Sequence, residues 1–505
     1  MTRLIRPLSA DRERPALHDA RGTTRAGEAV DLIHRLARAL IELGHGPGRV
    51  AALLGSASTR TYLAAHALEL TGGGQVELPA ALPAEQQRAL IGECGVELVL
   101  ADPEAVPDHV LRAISGVPGV RLWTLGSADV GGDLMAVDVS SEPLESGARI
   151  GDPSRLTLTG GTTGRSKVVL RRFSKPGEGR AAWLVRMARE SPEPMVVLKT
   201  GRLTGLGRTM ADAAVAAGGR FVCAPGFDPE QVCALIAEHR VTHLVLAPHE
   251  LELLVEHPAT AGADLSSLRF VLSATAATPP ALLRRASEVL GPIVHPTYGQ
   301  TESGLISLLS PRDQVEGDDA ALRSCGRPLE GARVQVRDAD LRPVATGRRG
   351  RVWVSTPNRM DEYWGRPEAT ARALVEGWVD TGDIGFLDER GMLTILGRAS
   401  EAMRVRGVEV YAPEIDLVLR DHPAVRSCVS FDVPGPDGPE LCTAVVPAPG
   451  EPVSERELLD WMAERPGPTP DSVLFVERLP LTYANEPCRE TLRSWLPGHA
   501  APVGR

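Results

Sequence analysis

Apolar residues recur at helical spacing over residues 26–45, where Ala29, Leu32, Ile33, Leu36, Ala39, Leu40 and Leu43 share one face. The run Val50-Ala51-Ala52-Leu53-Leu54 is short and wholly apolar, the pattern of a buried strand. Helices over 58–71 and 84–95 and a strand at Val96–Leu100 continue the alternation. Residues 125–154 are rich in Gly, Ser, Asp and Glu and read as a loop. A second alternation spans about 195 to 310. It comprises a helix over 208–217 stopped by Gly218-Gly219, a strand at Arg220–Cys223, a helix over 229–240 and a strand at 241–247. A strand at Arg269–Leu272 and a helix over 280–290 complete it. Strands alternating with helices predict layered α/β architecture. From 325 to 400, Gly-rich turns separate short alternating runs such as Arg351–Ser355, which predicts a small β-rich subdomain. A last α+β unit begins near residue 400.

At 505 residues the chain is long enough for two or three cores. Its net charge is −10 with both signs interspersed, so neither a nucleic-acid partner nor a membrane surface is expected. No apolar run approaches the roughly 20 residues of a membrane span, and the first residues lack the apolar core of a signal peptide. Seven scattered cysteines without a CxxC pair read as reduced thiols of a cytoplasmic protein with no zinc site. Lysine is scarce: Lys167, Lys175 and Lys199 are the only ones, against 52 arginines, and none follows residue 199.

Residues 158–169, LTGGTTGRSKVV, follow a strand-like run and concentrate Gly160, Gly161, Thr162, Thr163, Gly164 and Lys167. Glycines let backbone N–H groups approach an anion, threonine hydroxyls add donors and the lysine adds charge, so the stretch reads as a phosphate cradle. It is not the Walker pattern, because Val168 follows the lysine. It resembles the phosphate loop of the adenylate-forming superfamily of acyl-CoA ligases, peptide-synthetase adenylation domains and luciferases. Tyr298-Gly299-Gln300-Thr301-Glu302 matches the superfamily's YGQTE signature, and residues 362–398, ending in Arg398 and containing Thr381-Gly382-Asp383, match a third segment.

The resemblance covers roughly residues 25–495. It implies a large N-terminal domain of two α/β subdomains plus a β-rich one (1–399), and a small mobile α+β domain (400–505) with Ser400 at the hinge. It implies ATP and Mg²⁺ as cofactors. Thr159–Gly164 and Lys167 would hold phosphates and Tyr298 would stack on adenine, beside Gly299 and Gln300. Thr301 would contact the α-phosphate, Glu302 would hold Mg²⁺, and Asp383 and Arg398 would meet the ribose. Lys167, Thr301, Glu302 and Arg398 are then the catalytic candidates. By the same analogy Thr204, His249, Thr275 and Gly304 line the acid pocket. The acid is first joined to AMP with release of pyrophosphate and then passed to a nucleophile: CoA, an amine or a separate carrier protein.

Three departures fall on the transfer machinery. Asn485-Glu486 stands where the superfamily carries Gly-Lys, Thr204 stands where many ligases carry histidine, and Ala274-Thr275-Ala276-Ala277 replaces GGAP. A carboxylate about 4 Å from phosphate, at an effective dielectric of ~20, replaces attraction by a repulsion of order 4 kcal/mol. Either Glu486 stays in solvent and Arg489, Arg404 or Arg406 supplies the charge, or the reaction is unusual. The readings left open are a ligase of a small acid, a diazotase of secondary metabolism that activates nitrite for an arylamine, and a nucleotide-binding homologue without catalysis.

Overall fold

A computed structural model describes residues 4–159, 166–174, 182–203, 205–436, 438–465, 467–480 and 487–496. Gly160–Gly164, Thr204, Asn485 and Glu486 therefore lie outside the described residues.

Two large sheets carry the N-terminal part. The first has eight strands, with the parallel order Gly74–Glu77, Val50–Leu54, Leu98–Ala101, Arg121–Thr124 at its centre and the hairpin Pro153–Leu158/Val168–Arg172 beside Gly74–Glu77. The second has nine. Its parallel block runs Val294–Gln300, Phe270–Ser273, His243–Leu246, Val196–Thr200, Arg220–Ala224, Pro15–Asp19.

Strands flanked by helices on both faces bury both sets of side chains, which is why they read as continuous apolar runs. The helix Thr59–Thr71 shows the same logic: nearly every residue is buried, and it has no polar face to turn to water. Ser58 caps its start by accepting from the Thr61 N–H, and Gly72 ends it with φ +84°. This helix and Ala26–Glu42 share one apolar cluster with Leu17 and Phe221 of the nine-stranded sheet and Leu53, Leu98 and Leu100 of the eight-stranded sheet. Burying one cluster therefore fastens the two sheets together.

A five-stranded antiparallel sheet (Arg333–Arg337, Gly350–Ser355, Leu374–Val375, Trp378–Leu387, Leu393–Arg398) forms the β-rich subdomain. The small C-terminal domain follows with the hairpin Met403–Val405/Val408–Val410, the helix Ala412–Leu419 and a sheet of Val425–Gly435, Gly438–Pro447 and Ser472–Phe475. Asp421 ties it to the large domain. Its carboxylate accepts from the Ala281 N–H at 3.1 Å and lies 3.5 Å from Arg323 and 3.7 Å from Arg284.

Several boundaries differ from the sequence expectations. The helix expected over 26–45 stops at Glu42, because Gly44 turns into the left-handed region at φ +78°. The helix expected over 208–217 runs Gly205–Ala216, and the strands expected at 96–100 and 269–272 run Leu98–Ala101 and Phe270–Ser273. The segment 125–154 is not a bare loop. It contains the short strand Gly132–Asp133 and a turn at Leu134–Ala136, and it packs Leu134, Val137, Val139 and Leu144 on the shared core. The helix Ile5–Ala10 and the hairpin Pro15–Asp19/Gly22–Arg25 had no sequence expectation.

Within the C-terminal domain, burial pushes the Asp416 carboxyl up to about 7, although Ser430 Oγ donates to it at 2.6 Å. A raised pKa means that the folded state binds the proton more tightly, so this group's contribution is present in acid and is lost as pH rises from about 4 through about 7. Asp416→Asn keeps an acceptor for Ser430 and removes the buried charge. It is expected to stabilise the domain by about 4 kcal/mol at pH 8 and by almost nothing at pH 4, a difference to be read from thermal melts at the two pH values.

Candidate active site

Four strands of the nine-stranded sheet run parallel and end on one edge. Val196–Thr200 leads to Thr204, His243–Leu246 to His249, Phe270–Ser273 to Thr275, and Val294–Gln300 carries the YGQTE signature. Open α/β sheets bind ligands outside the carboxyl ends of their strands. The described residues of the expected acid pocket thus share an edge with the expected nucleotide site. His249 is exposed at the second position of the helix Pro248–Glu256. Thr275 is exposed and has φ +80°, a left-handed conformation that costs a β-branched residue energy and that tends to persist at functional positions. Gly304 has φ +70°, and a Cβ there would meet Asn358 Cβ at 2.5 Å, so this turn admits no side chain.

Asp383 sits between Tyr298, Gln300 and Arg398. It lies opposite Arg398 in the antiparallel pairing of Trp378–Leu387 with Leu393–Arg398. The carboxylate is 4% exposed. It accepts from the Tyr298 hydroxyl and from Gln300 Nε2 at 2.7 Å, and forms an ion pair with Arg398, whose Nε lies 3.1 Å away. Gln300 and Arg398 each donate as well to the Thr381 carbonyl, at 2.8 Å in both cases. Burial raises the Asp383 carboxyl against the opposing pull of Arg398, Tyr298 and Gln300. Burial and this carboxylate push the Tyr298 phenol well up, so it stays a donor. A bulge at Tyr298/Gly299 turns the strand, and Gly299 is required because a Cβ would meet the Gly304 carbonyl at 2.6 Å.

The second cluster gathers Lys167, Tyr363 and Glu302. The Lys167 N–H donates to Thr159 Oγ1 at 3.0 Å and the Thr159 N–H donates to the Lys167 carbonyl at 2.9 Å, which closes the base of the hairpin that bears the expected phosphate cradle. Lys167 Nζ lies 4.6 Å from the centre of the Tyr363 ring, a cation–π contact. Tyr363 in turn donates its hydroxyl to Glu302 Oε1 at 2.8 Å. Thr301, next in the chain to Glu302, is tied through its carbonyl to the Arg171 guanidinium. Burial and the Glu302 carboxylate raise the Tyr363 phenol, which keeps its proton on the donor side. Tyr363 lies inside the third matching segment, where nothing in the local sequence marks it. Its place depends on the pairing of Glu362–Tyr363 with Val169–Leu170, which no local pattern reveals.

Among the described residues no cluster of three or more His, Cys, Asp or Glu side chains could hold a metal. Glu302 offers one carboxylate, which suits a Mg²⁺ that keeps waters and takes its remaining ligands from phosphates. The arginines expected to replace the missing lysine are engaged within their own domain. Arg404 pairs with Glu409 at 3.2 Å and Arg406 with Asp471, while Arg489 donates to the Ser430 carbonyl at 3.2 Å and lies 3.7 Å from Glu401.

The family model for AMP-binding enzymes matches residues 7–364, and that for the AMP-binding enzyme C-terminal domain matches residues 414–485. The medium/long-chain-fatty-acid–CoA ligase FadD8 of Mycobacterium tuberculosis is 29% identical over 97% of this chain and 89% of its own. A feruloyl-CoA synthase from an Amycolatopsis species is 30% identical over 89% of each chain. The solved structure of the amide bond synthetase McbA from Marinactinospora thermotolerans superposes with a TM-score of 0.86 at 30% identity, covering 97% of this chain and 99% of that one.

Proposed function

The chain belongs to the AMP-binding enzyme family, ATP-dependent ligases that form AMP from ATP while activating an acid; on that premise we propose that it joins a small acid to AMP and hands it to CoA or an amine. The buried Asp383 carboxylate, held by Tyr298, Gln300 and Arg398 at the carboxyl edge of the sheet, carries the reading. In that edge a purine has an aromatic face at Tyr298 and a ribose diol has an ionised acceptor at Asp383. Lys167 and the cradle ahead of it hold the phosphates, Thr301 adds a hydroxyl, and Glu302 holds Mg²⁺, which would neutralise phosphate charge when bound. Tyr363 positions both Lys167 and Glu302. The acid lies toward Thr204, His249, Thr275 and Gly304. We place the boundary between the large and the small domain after residue 399, where the last strand of the five-stranded sheet has ended.

Transfer to an amine is supported by the likeness to an amide bond synthetase, and transfer to CoA by the likeness to two CoA-dependent enzymes. Glu486, in place of a lysine, supports an acid whose activation differs from that of a fatty acid. Nitrite delivered to an arylamine, in secondary metabolism, is the second reading.

AMP and pyrophosphate release from ATP–Mg²⁺, with aryl acids, fatty acids and nitrite, each with CoA and with an arylamine, tests these readings. Release with an organic acid is the expected result. Release confined to nitrite plus amine favours the diazotase, and no release with any acid leaves a nucleotide-binding homologue.

A further inference from the structure

The turn Thr301–Ser303 joins the strands Val294–Gln300 and Gly304–Leu308, and its backbone carbonyls need donors from outside that hairpin. Three successive carbonyls find them on distant segments. Thr301 accepts from the Arg171 guanidinium, Glu302 from the Met360 N–H at 2.6 Å, and Ser303 from the Thr356 hydroxyl. Arg171 Nη2 donates in addition to the Asn358 carbonyl at 3.2 Å, and the Asn358 N–H donates to Thr356 Oγ1 at 3.2 Å. Residues 356–360 therefore clasp the turn, and Arg171 binds both the turn and the clasp.

Arg171 lies on the strand Val168–Arg172, four residues after Lys167 and two after Val169. Alternation along a strand puts these three side chains on one face. Lys167 lies against the Tyr363 ring, Val169 packs with Met360 and Tyr363, and Arg171 reaches Thr301 and Asn358. Tyr363 in turn holds the Glu302 carboxylate. One strand face of the cradle hairpin is thus fastened at both its ends to the turn that bears Thr301 and Glu302. The geometry suits arginine, because one Nη2 offers two N–H bonds, one for each carbonyl, on a planar and permanently charged group. Arg172 belongs to the opposite face, where it forms a half-exposed pair with Glu362 at 3.0 Å and donates to the Gly151 carbonyl at 2.9 Å.

We propose that Arg171 is a positioning residue for adenylate formation, which keeps the Thr301 hydroxyl and the Glu302 carboxylate in register with the phosphate cradle. This rests on the ligase reading above and deepens it. Arg171 acts through the backbone of the turn and not on the reacting atoms. A turn released from the guanidinium keeps its other two carbonyl bonds, so ATP still binds. Its two side chains lose the fixed geometry that the transfer step needs.

The test uses the full chain with ATP–Mg²⁺ and whichever acid of the panel above releases most pyrophosphate, and compares Arg171→Met, Arg171→Lys and Arg172→Met. Arg171→Met is expected to lower kcat about 10–10²-fold, the scale of a small misplacement at a reacting centre, while the KM for ATP stays within about threefold. Arg171→Lys keeps the charge and a donor and should recover part of the rate. Arg172→Met removes a half-exposed ion pair and should leave kcat within about twofold. Amide hydrogen exchange without nucleotide reads the clasp directly. The Ser303 N–H donates to the Gln300 carbonyl and the Met360 N–H to Glu302. In Arg171→Met both should exchange about tenfold faster or more, with the largely buried strand Gly438–Pro447 unchanged.

A kcat for Arg171→Met within about threefold of wild type overturns the role and leaves the ligase reading standing. So does an equal loss in Arg172→Met, unchanged exchange at Ser303 and Met360, or faster exchange throughout the chain, which marks a general loss of stability. No pyrophosphate from the wild-type chain with any acid overturns the ligase reading and the positioning role with it.

Discussion

Asp383→Ala is expected to lower kcat/KM for pyrophosphate release by about 10²–10³-fold, since hydrogen bonds to a charged group contribute roughly 1.5–3 kcal/mol each. The carboxylate is buried and organises three side chains at once: Tyr298, Gln300 and Arg398. Its loss would remove the proposed acceptor for the ribose and free the two donors that also hold the Thr381 carbonyl. Asp383→Asn keeps the volume but turns an NH₂ toward the Gln300 and Arg398 donors, so it should recover little. Steady-state kinetics with saturating acid, together with calorimetric ATP binding, measures the effect. A rate within threefold of wild type for the alanine variant would remove Asp383 from the proposed site.

Arg208→Met should destabilise the large domain by about 3–5 kcal/mol, the usual result of removing one partner from a buried ion pair. Arg208 is fully buried. It donates to Glu69 Oε1 at 2.9 Å and to Gln75 Oε1 at 3.1 Å. Arg155 donates to the same Glu69 oxygen at 2.8 Å, and Asp212 accepts from Tyr62 at 2.9 Å and lies 3.1 Å from His66. Burial alone would raise the Glu69 carboxyl, yet Arg208, Arg155 and His66 hold it well below its ordinary range. Met matches the length of the stem without the charge and leaves Glu69 with half its support. The network joins the helix Thr59–Thr71 and the strands Gly74–Glu77 and Pro153–Leu158 of the eight-stranded sheet to the helix Gly205–Ala216, which packs on Val196–Thr200 and Arg220–Ala224 of the nine-stranded sheet. Chemical denaturation should show a lower midpoint with an unchanged slope. An unchanged midpoint would mean that water or another residue compensates the lost charge.

The cradle, the YGQTE signature and the segment around Asp383 were legible as local words, because each needs a set of residue types at short spacing. Their meeting was not. Tyr298 and Asp383 are 85 residues apart, Glu302 and Tyr363 are 61 apart, and nothing between them in sequence encodes the distance. In sequence Tyr363 is one aromatic among others, and only the pairing of Glu362–Tyr363 with Val169–Leu170 gives it its place. The charges at Glu69, Arg155, Arg208 and Asp212 resemble surface residues in sequence, since a charged side chain is usually exposed and its burial depends on a partner supplied from another element.

Periodicity and punctuation by themselves determined the α/β layering, the two alternating blocks, the β-rich stretch and the last α+β unit, because burial of one face repeats with the pitch of the element that carries it. Capping residues and glycines decided where helices begin and end to within a few residues, which is a matter of local backbone hydrogen bonds. Tertiary structure alone decided which strands lie side by side and which polar groups share a buried network. Those outcomes follow from closing long loops to bury one common core, and the free energy that selects them belongs to contacts between distant segments.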